Sequence, residues 1–179
     1  MDETNRLLGI PEEPDKDSQD TQKGKYMTFK SGVEYFGLGI EYVQQIIQYQ
    51  SITKVPETEK YIKGLINLRG KIVPVVDVRL RFNQEPIAYD DKTCIIVINV
   101  KDMTVGLVVE QIAEVVEIKE ENILPPPSIQ HGDKAHNKYV HGIGRVGNTV
   151  KLLLDPEKLL NDEDSSAAEQ GNNKINDEE

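Results

Sequence analysis

Ile66-Asn67-Leu68-Arg69-Gly70-Lys71-Ile72-Val73-Pro74-Val75-Val76-Asp77 holds most of what this 179-residue chain reveals about itself. An apolar run meets an arginine and a glycine, and a β-branched run follows from Lys71 towards Phe82. Gly64 and Gly70 bracket the segment and permit tight backbone geometry. Pro74 has no N–H to donate, so the spacing predicts an edge position or a bulge for it. Arg69 has two readings at this point. Its planar fork suits carboxylates or backbone carbonyls of a partner, or it bonds internally, to Asp77 or to a backbone carbonyl.

Outward from this stretch, period-two patterning dominates. Tyr26–Lys30 reads as a strand, and Ser31-Gly32 turns the chain into a hairpin partner over Val33–Leu38. Val43, Ile46 and Ile47 fall at i, i+3 and i+4, which predicts a short helix over Glu41–Ile47. Thr93–Val100 is almost continuously apolar, as in a strand buried on both sides, and Met103–Val109 is a further strand. Ile112, Val115, Val116 and Ile118 mix the two periods and resist assignment. Pro125-Pro126-Pro127 reads as a stiff connector. A last hairpin turns at Gly147-Asn148, and Asp155-Pro156-Glu157 opens a terminal helix. Some ten short strands with small turns point to barrels or a sandwich rather than a βαβ sheet.

The formal charge of −10 is unevenly placed. Residues 1–24 carry net −4 and residues 161–179 net −6, so residues 25–160 are neutral. Both acidic segments read as flexible arms around a single domain of residues 25–160, with Leu7-Leu8-Gly9-Ile10-Pro11 as one apolar island. A neutral domain gives nucleic acid no electrostatic footing. The single Cys94 excludes an internal disulfide framework and suggests a reducing compartment. No secretory leader pattern opens the chain, and no apolar run approaches the ~20 residues that span a bilayer. A cytoplasmic protein without membrane insertion is expected.

Catalytic patterns are absent. No phosphate loop occurs, and Gly142-Ile143-Gly144-Arg145-Val146-Gly147 lies between strands with no helix following. Cys94 sits in an apolar strand. Asp90-Asp91 would point to opposite faces of a strand and suit a turn. His131, His136 and His141 recur every five residues, a spacing that scatters them around a helix. A small metal-dependent hydrolase built on those three histidines remains the contrasting reading. The expectation is a non-enzymatic protein without metal or cofactor.

The extended stretch Tyr61–Arg79 resembles the signature of the CheW coupling-protein family of bacterial chemotaxis. The resemblance continues in Phe36–Ile40 with Val43–Ile46, in Val105–Ile112, in Ile123–Pro127, in Gly142–Gly144, and in Leu152–Asp155 with Leu159-Leu160. It implies an all-β fold of two five-stranded, SH3-like barrels sharing a hydrophobic core. It also implies an adaptor linking methyl-accepting chemoreceptor tips to the regulatory domain of a CheA-type histidine kinase, at membrane-associated arrays. The receptor's helical hairpin would dock in the groove between barrels, and the kinase on one barrel face. Carried over residue by residue, Val43, Gln45, Asn67, Leu68, Arg69 and Gly70 are the expected receptor- and kinase-binding positions. Gln45 replaces an acid common in the family, and Glu110 stands where aspartate is common. A coupling module fused to a receiver domain would need about 120 more residues, whereas 19 follow Leu160. A related adaptor of a non-motility chemosensory pathway fits the same residues.

Overall fold

Alternating side chains need a partner strand on each flank, and the chain supplies most of them locally. A computed structural model describes residues 22–126 and 138–161. β1 (Lys25–Ser31) and β2 (Glu34–Gly39) form an antiparallel hairpin in which Lys30 faces Tyr35 and Thr28 faces Gly37. β3 (Val43–Gln48) follows a 3-10 turn, and β4 (Ile62–Leu68) and β5 (Lys71–Asp77) make a second hairpin. A four-residue helix, α1 (Val78–Arg81), leads towards β6 (Cys94–Val100) and β7 (Met103–Val109). β8 (Gln111–Glu117), β9 (Ile123–Leu124), β10 (Val140–Val146), β11 (Thr149–Leu154) and α2 (Pro156–Leu160) complete the described chain. Asp155 caps α2, its carboxylate accepting from the N–H groups of Glu157 and Lys158, with Pro156 in the first turn.

These strands form two sheets, in the orders β8-β1-β2-β11-β10-β9 and β3-β6-β7-β5-β4. The first contains both early and late strands, joined where β2 runs parallel to β11. Three apolar clusters result. One lies on one face of the second sheet and holds Ile66, Val73, Val75, Ile95, Val97 and Val108. A smaller one, around Val116, Ile118 and Leu153, lines the first. The largest lies between the sheets and includes Phe29, Phe36, Ile96, Ile98, Leu107 and Leu154. β6 therefore buries both faces: Ile95 and Val97 look one way, Ile96 and Ile98 the other. This is the two-lobed, shared-core β architecture expected from the resemblance.

The second lobe closes on itself at one point. Thr53 and Leu65 exchange both backbone hydrogen bonds, at 2.9 and 2.8 Å. Gly64 allows that approach: its φ is +138°, and a Cβ there would lie 2.0 Å from the Thr53 carbonyl oxygen.

Two expectations are corrected and one open segment is assigned. Glu41–Ile47 is not a helix: β3 begins at Val43 and pairs with β6. Its register shifts between Val43 and Gln45, so Gln44 is extra, as in a bulge. The inserted residue puts Val43 and Ile46 on one face, which mimics a helical i, i+3 spacing. Pro74 is not on an edge strand, since β5 lies between β4 and β7. The parallel ladder to β7 runs only from Val75 to Asp77, so the proline falls just outside it. The unassigned segment is β8 (Gln111–Glu117), with Ile118 just beyond it, and a register shift against β1 between Met27 and Phe29 produces its mixed period. The Leu7–Pro11 island, His131, His136, Pro127 and most of both acidic segments lie outside the described residues.

Candidate functional site

A two-residue hairpin loop favours a turn whose two central residues both have positive φ. Leu68 pairs with Lys71, leaving Arg69 (φ +52°) and Gly70 (φ +83°) as those residues. The Asn67 side-chain oxygen accepts from the Gly70 N–H at 2.8 Å and fixes the turn from one side. Leu68 packs half-buried against the second lobe's core. Asn67 and Arg69 are exposed, and Arg69 has no hydrogen-bond or ion-pair partner among the described residues. An internal Arg69–Asp77 pair is thus ruled out. Asp77 is at the other end of β5, where it caps α1 through the Leu80 N–H and accepts from the Tyr89 hydroxyl.

Val43 and Gln45 are not brought to one face. Val43 pairs with Ile98 and packs on the shared core, whereas Gln45 pairs with Val97 on the opposite side. β3 is a terminal strand in its sheet's order, so a partner running along it meets side chains from both faces. Ile46 is exposed on Val43's side.

At the end of β5 remote from the hairpin tip, α1 ties the lobes together. The Arg79 guanidinium meets the Glu110 carboxylate at 3.1 Å and donates through Nε to the Glu85 carbonyl. The same Glu110 oxygen accepts from the N–H of Gly32, in the β1–β2 turn of the other sheet. Ser31 donates to the Gln84 side-chain oxygen at 2.9 Å. Arg81 points the other way. It donates to the carbonyls of Leu159 and Asn161 at 2.9 and 3.0 Å and stacks over the rings of Tyr61 and Tyr139. A row of stacked rings, Phe29, Phe36, Phe82 and Tyr139, runs through the shared core beside it. The sequence carried one signal of these links: arginines alternating with apolar residues in Val78-Arg79-Leu80-Arg81-Phe82, too close together to share a solvated face.

Titration follows from burial. Desolvation first, then the hydrogen bond to Asp77 and that carboxylate's charge, hold the Tyr89 phenol well above its ordinary value. Burial alone raises the Cys94 thiol, which suits a packing residue rather than a nucleophile. Asp90 behaves as a turn residue, accepting from the Lys92 N–H. His141 lies exposed on β10, and no cluster of three or more His, Cys, Asp or Glu side chains suits a metal among the described residues. No described helix is long and apolar enough to cross a membrane.

The two-lobed sheet arrangement, with an exposed arginine turn at one end of β5 and an inter-lobe clamp at the other, defines a contact scaffold. The chain belongs to the CheW-like family, whose model matches residues 25–164. The chemotaxis protein CheW of Klebsiella aerogenes is 36% identical over 140 residues, covering 78% of this chain and 83% of that protein. CheW of Bacillus subtilis is 31% identical over 144 residues, 80% of this chain and 91% of that one. The crystal structure of the scaffolding protein TtCheW from Thermoanaerobacter tengcongensis superposes with a TM-score of 0.68. It shares 34% identity and covers 74% of this chain and 88% of its own. As a member of that family the chain is a non-enzymatic coupling scaffold of chemotaxis signalling.

Proposed function

We propose that this scaffold couples the cytoplasmic tips of methyl-accepting chemoreceptors to the regulatory domain of a CheA-type histidine kinase, at membrane-associated receptor arrays. One observation carries the reading. The arginine of the family motif stands exposed on a two-residue turn, in the left-handed region, with no internal partner among the described residues. A non-glycine residue at positive φ costs about 1–2 kcal/mol. Strain at an exposed, unbonded side chain suits a residue presented to a partner rather than one serving the fold. In this reading Asn67, Leu68, Arg69 and Gly70 form a preset contact tip, and Val43 and Gln45 contribute from the β3 edge. Gln45 offers a hydrogen bond in place of a charge, so its contact to a basic receptor residue would be insensitive to salt. The acidic segments 1–24 and 161–179 stand outside this coupling domain.

Reconstitution tests the proposal. The protein is mixed with a CheA-type kinase and a receptor cytoplasmic fragment, and three-way assembly is followed by co-sedimentation and kinase activity. Assembly and kinase control at micromolar concentrations are expected. Binding to neither component rejects the coupling role. Assembly only with receptors and kinase of a pathway unrelated to motility would keep the chemistry and reassign the process.

A further inference from the structure

The Arg69 turn extends beyond the ladder that carries it. β5 pairs with β7 through Val75, Val76 and Asp77, and the ladder stops there. Pro74, next towards the turn, has no N–H to give either flanking strand. From that point the hairpin keeps its β4–β5 pairing as far as Leu68 and Lys71. Leu68 and Val73 set how deeply it sits in the second lobe's core. Lateral support from β7 comes through a side chain: the Lys71 ammonium donates to the Thr104 hydroxyl oxygen at 2.9 Å. That oxygen also accepts from the Asn99 amide at 3.3 Å, and Asn99 is the direct partner of Thr104 across β6 and β7.

The three polar residues share a face. Side chains alternate along a strand, so Lys71 lies on the side of Val73 and Val75, Asn99 on that of Ile95 and Val97, and Thr104 on that of Val108. Those five apolar residues belong to one buried cluster. The polar trio therefore closes one end of that core, and Thr104, in the middle, is only 8% exposed. A hydroxyl oxygen can accept two hydrogen bonds, and here they come from the strands on either side of β7. Lys71 in turn closes the two-residue loop opposite Leu68. The Asn67 oxygen holds that loop together through the Gly70 N–H, a bond within the hairpin that does not orient it on the lobe. We propose that Thr104 does so: it is a positioning residue for Arg69, acting through Lys71 to keep the guanidinium at one place on the partner-facing surface. The functional part of this inference rests on the coupling role proposed above; the tether itself does not.

Three variants of the full chain test this. Thr104→Val keeps the branched shape but not the acceptor, Thr104→Ser keeps the acceptor, and Lys71→Met keeps the stem without the charge. Order in the turn is read by NMR from the heteronuclear NOE and hydrogen exchange of the Arg69 and Gly70 amides. Affinity for a receptor cytoplasmic fragment is read by calorimetry. In Thr104→Val the turn should lose order while the β6 amides stay protected, and receptor affinity should fall about three- to tenfold. Thr104→Ser should restore both. Lys71→Met should loosen the turn as the valine does, and it supplies the order measurement should Thr104→Val fail to fold. If the turn stays as ordered in both variants as in the parent protein, the tether is overturned. A turn that loosens with affinity unchanged overturns the positioning role. A parent protein that binds no receptor fragment refutes the coupling reading instead, and the order of the turn then decides the tether on its own.

Discussion

Gly64→Ala isolates the closure of the second lobe. The new methyl would stand 2.0 Å from the Thr53 carbonyl oxygen and 2.7 Å from its carbon. Those atoms are backbone, so a change of rotamer cannot relieve the clash. Two terms add to the cost. An alanine held at φ +138° loses about 1–2 kcal/mol relative to glycine. Forcing the segments apart breaks both Thr53–Leu65 backbone hydrogen bonds, each worth about 1 kcal/mol net. The loss should total about 3–4 kcal/mol, a large part of the ~5–15 kcal/mol that holds a domain folded. Urea unfolding followed by circular dichroism should show the midpoint falling at nearly constant slope. Thermal unfolding should shift down by roughly 10 °C, at about 3 °C per kcal/mol for a domain of this size. Native-state hydrogen exchange supplies the local check, because the Thr53 and Leu65 amides should lose protection ahead of β6. A loss below about 1 kcal/mol with those amides still protected would falsify the claim that this glycine permits closure.

Three more predictions are separable from that one. Arg81→Met retains an apolar stem but removes the donors to Leu159 and Asn161 and the charge over Tyr61 and Tyr139; a loss of about 2–4 kcal/mol is expected, and an unchanged urea midpoint would dismiss the clamp. Arg69→Gly relieves a positive φ at an exposed residue, so stability should rise by up to about 1 kcal/mol while receptor coupling falls; a marked loss of stability instead would reveal an internal role. Tyr89 should stay protonated in an ultraviolet titration at pH values where denatured tyrosines, near 10, already ionise. Because its folded-state pKa is the higher one, its stabilising contribution is complete below pH 10 and is lost as pH rises beyond that. Tyr89→Phe should flatten this alkaline decline, and an unaltered decline would assign it to other groups.

Much of the strand pattern could be read from the sequence alone, because strands such as β1 and β2 pair residue by residue without a shift. Failures cluster at register shifts. One extra residue at Gln44 gives β3 a helical signature, and the shift against β1 blurs β8. A bulge alters periodicity without leaving a residue type to mark it. The motif around Arg69 was legible as a turn with a free or paired arginine, and only the distance along β5 separated those readings. The partners in the Arg79–Glu110–Gly32 and Arg81–Leu159 links were not legible, since they lie 31 to 80 positions apart; only the two arginines set among apolar residues hinted at them. The half-buried Val43 and Gln45 were expected on one surface, and the bulge divides them between two.

The parallel pairing of β2 with β11 also dictates an order of assembly. The second sheet is drawn wholly from residues 43–109, whereas the first must wait for strands that leave the ribosome last. Leu152 has to find Phe36 across more than a hundred intervening residues, and such non-local pairings close slowly. During synthesis the β1–β2 hairpin therefore exposes the open edge of β2 beside an already foldable second lobe. Chains interrupted before β11 would carry that unpaired edge permanently, making it the point at which nascent copies of this protein are most prone to associate with one another.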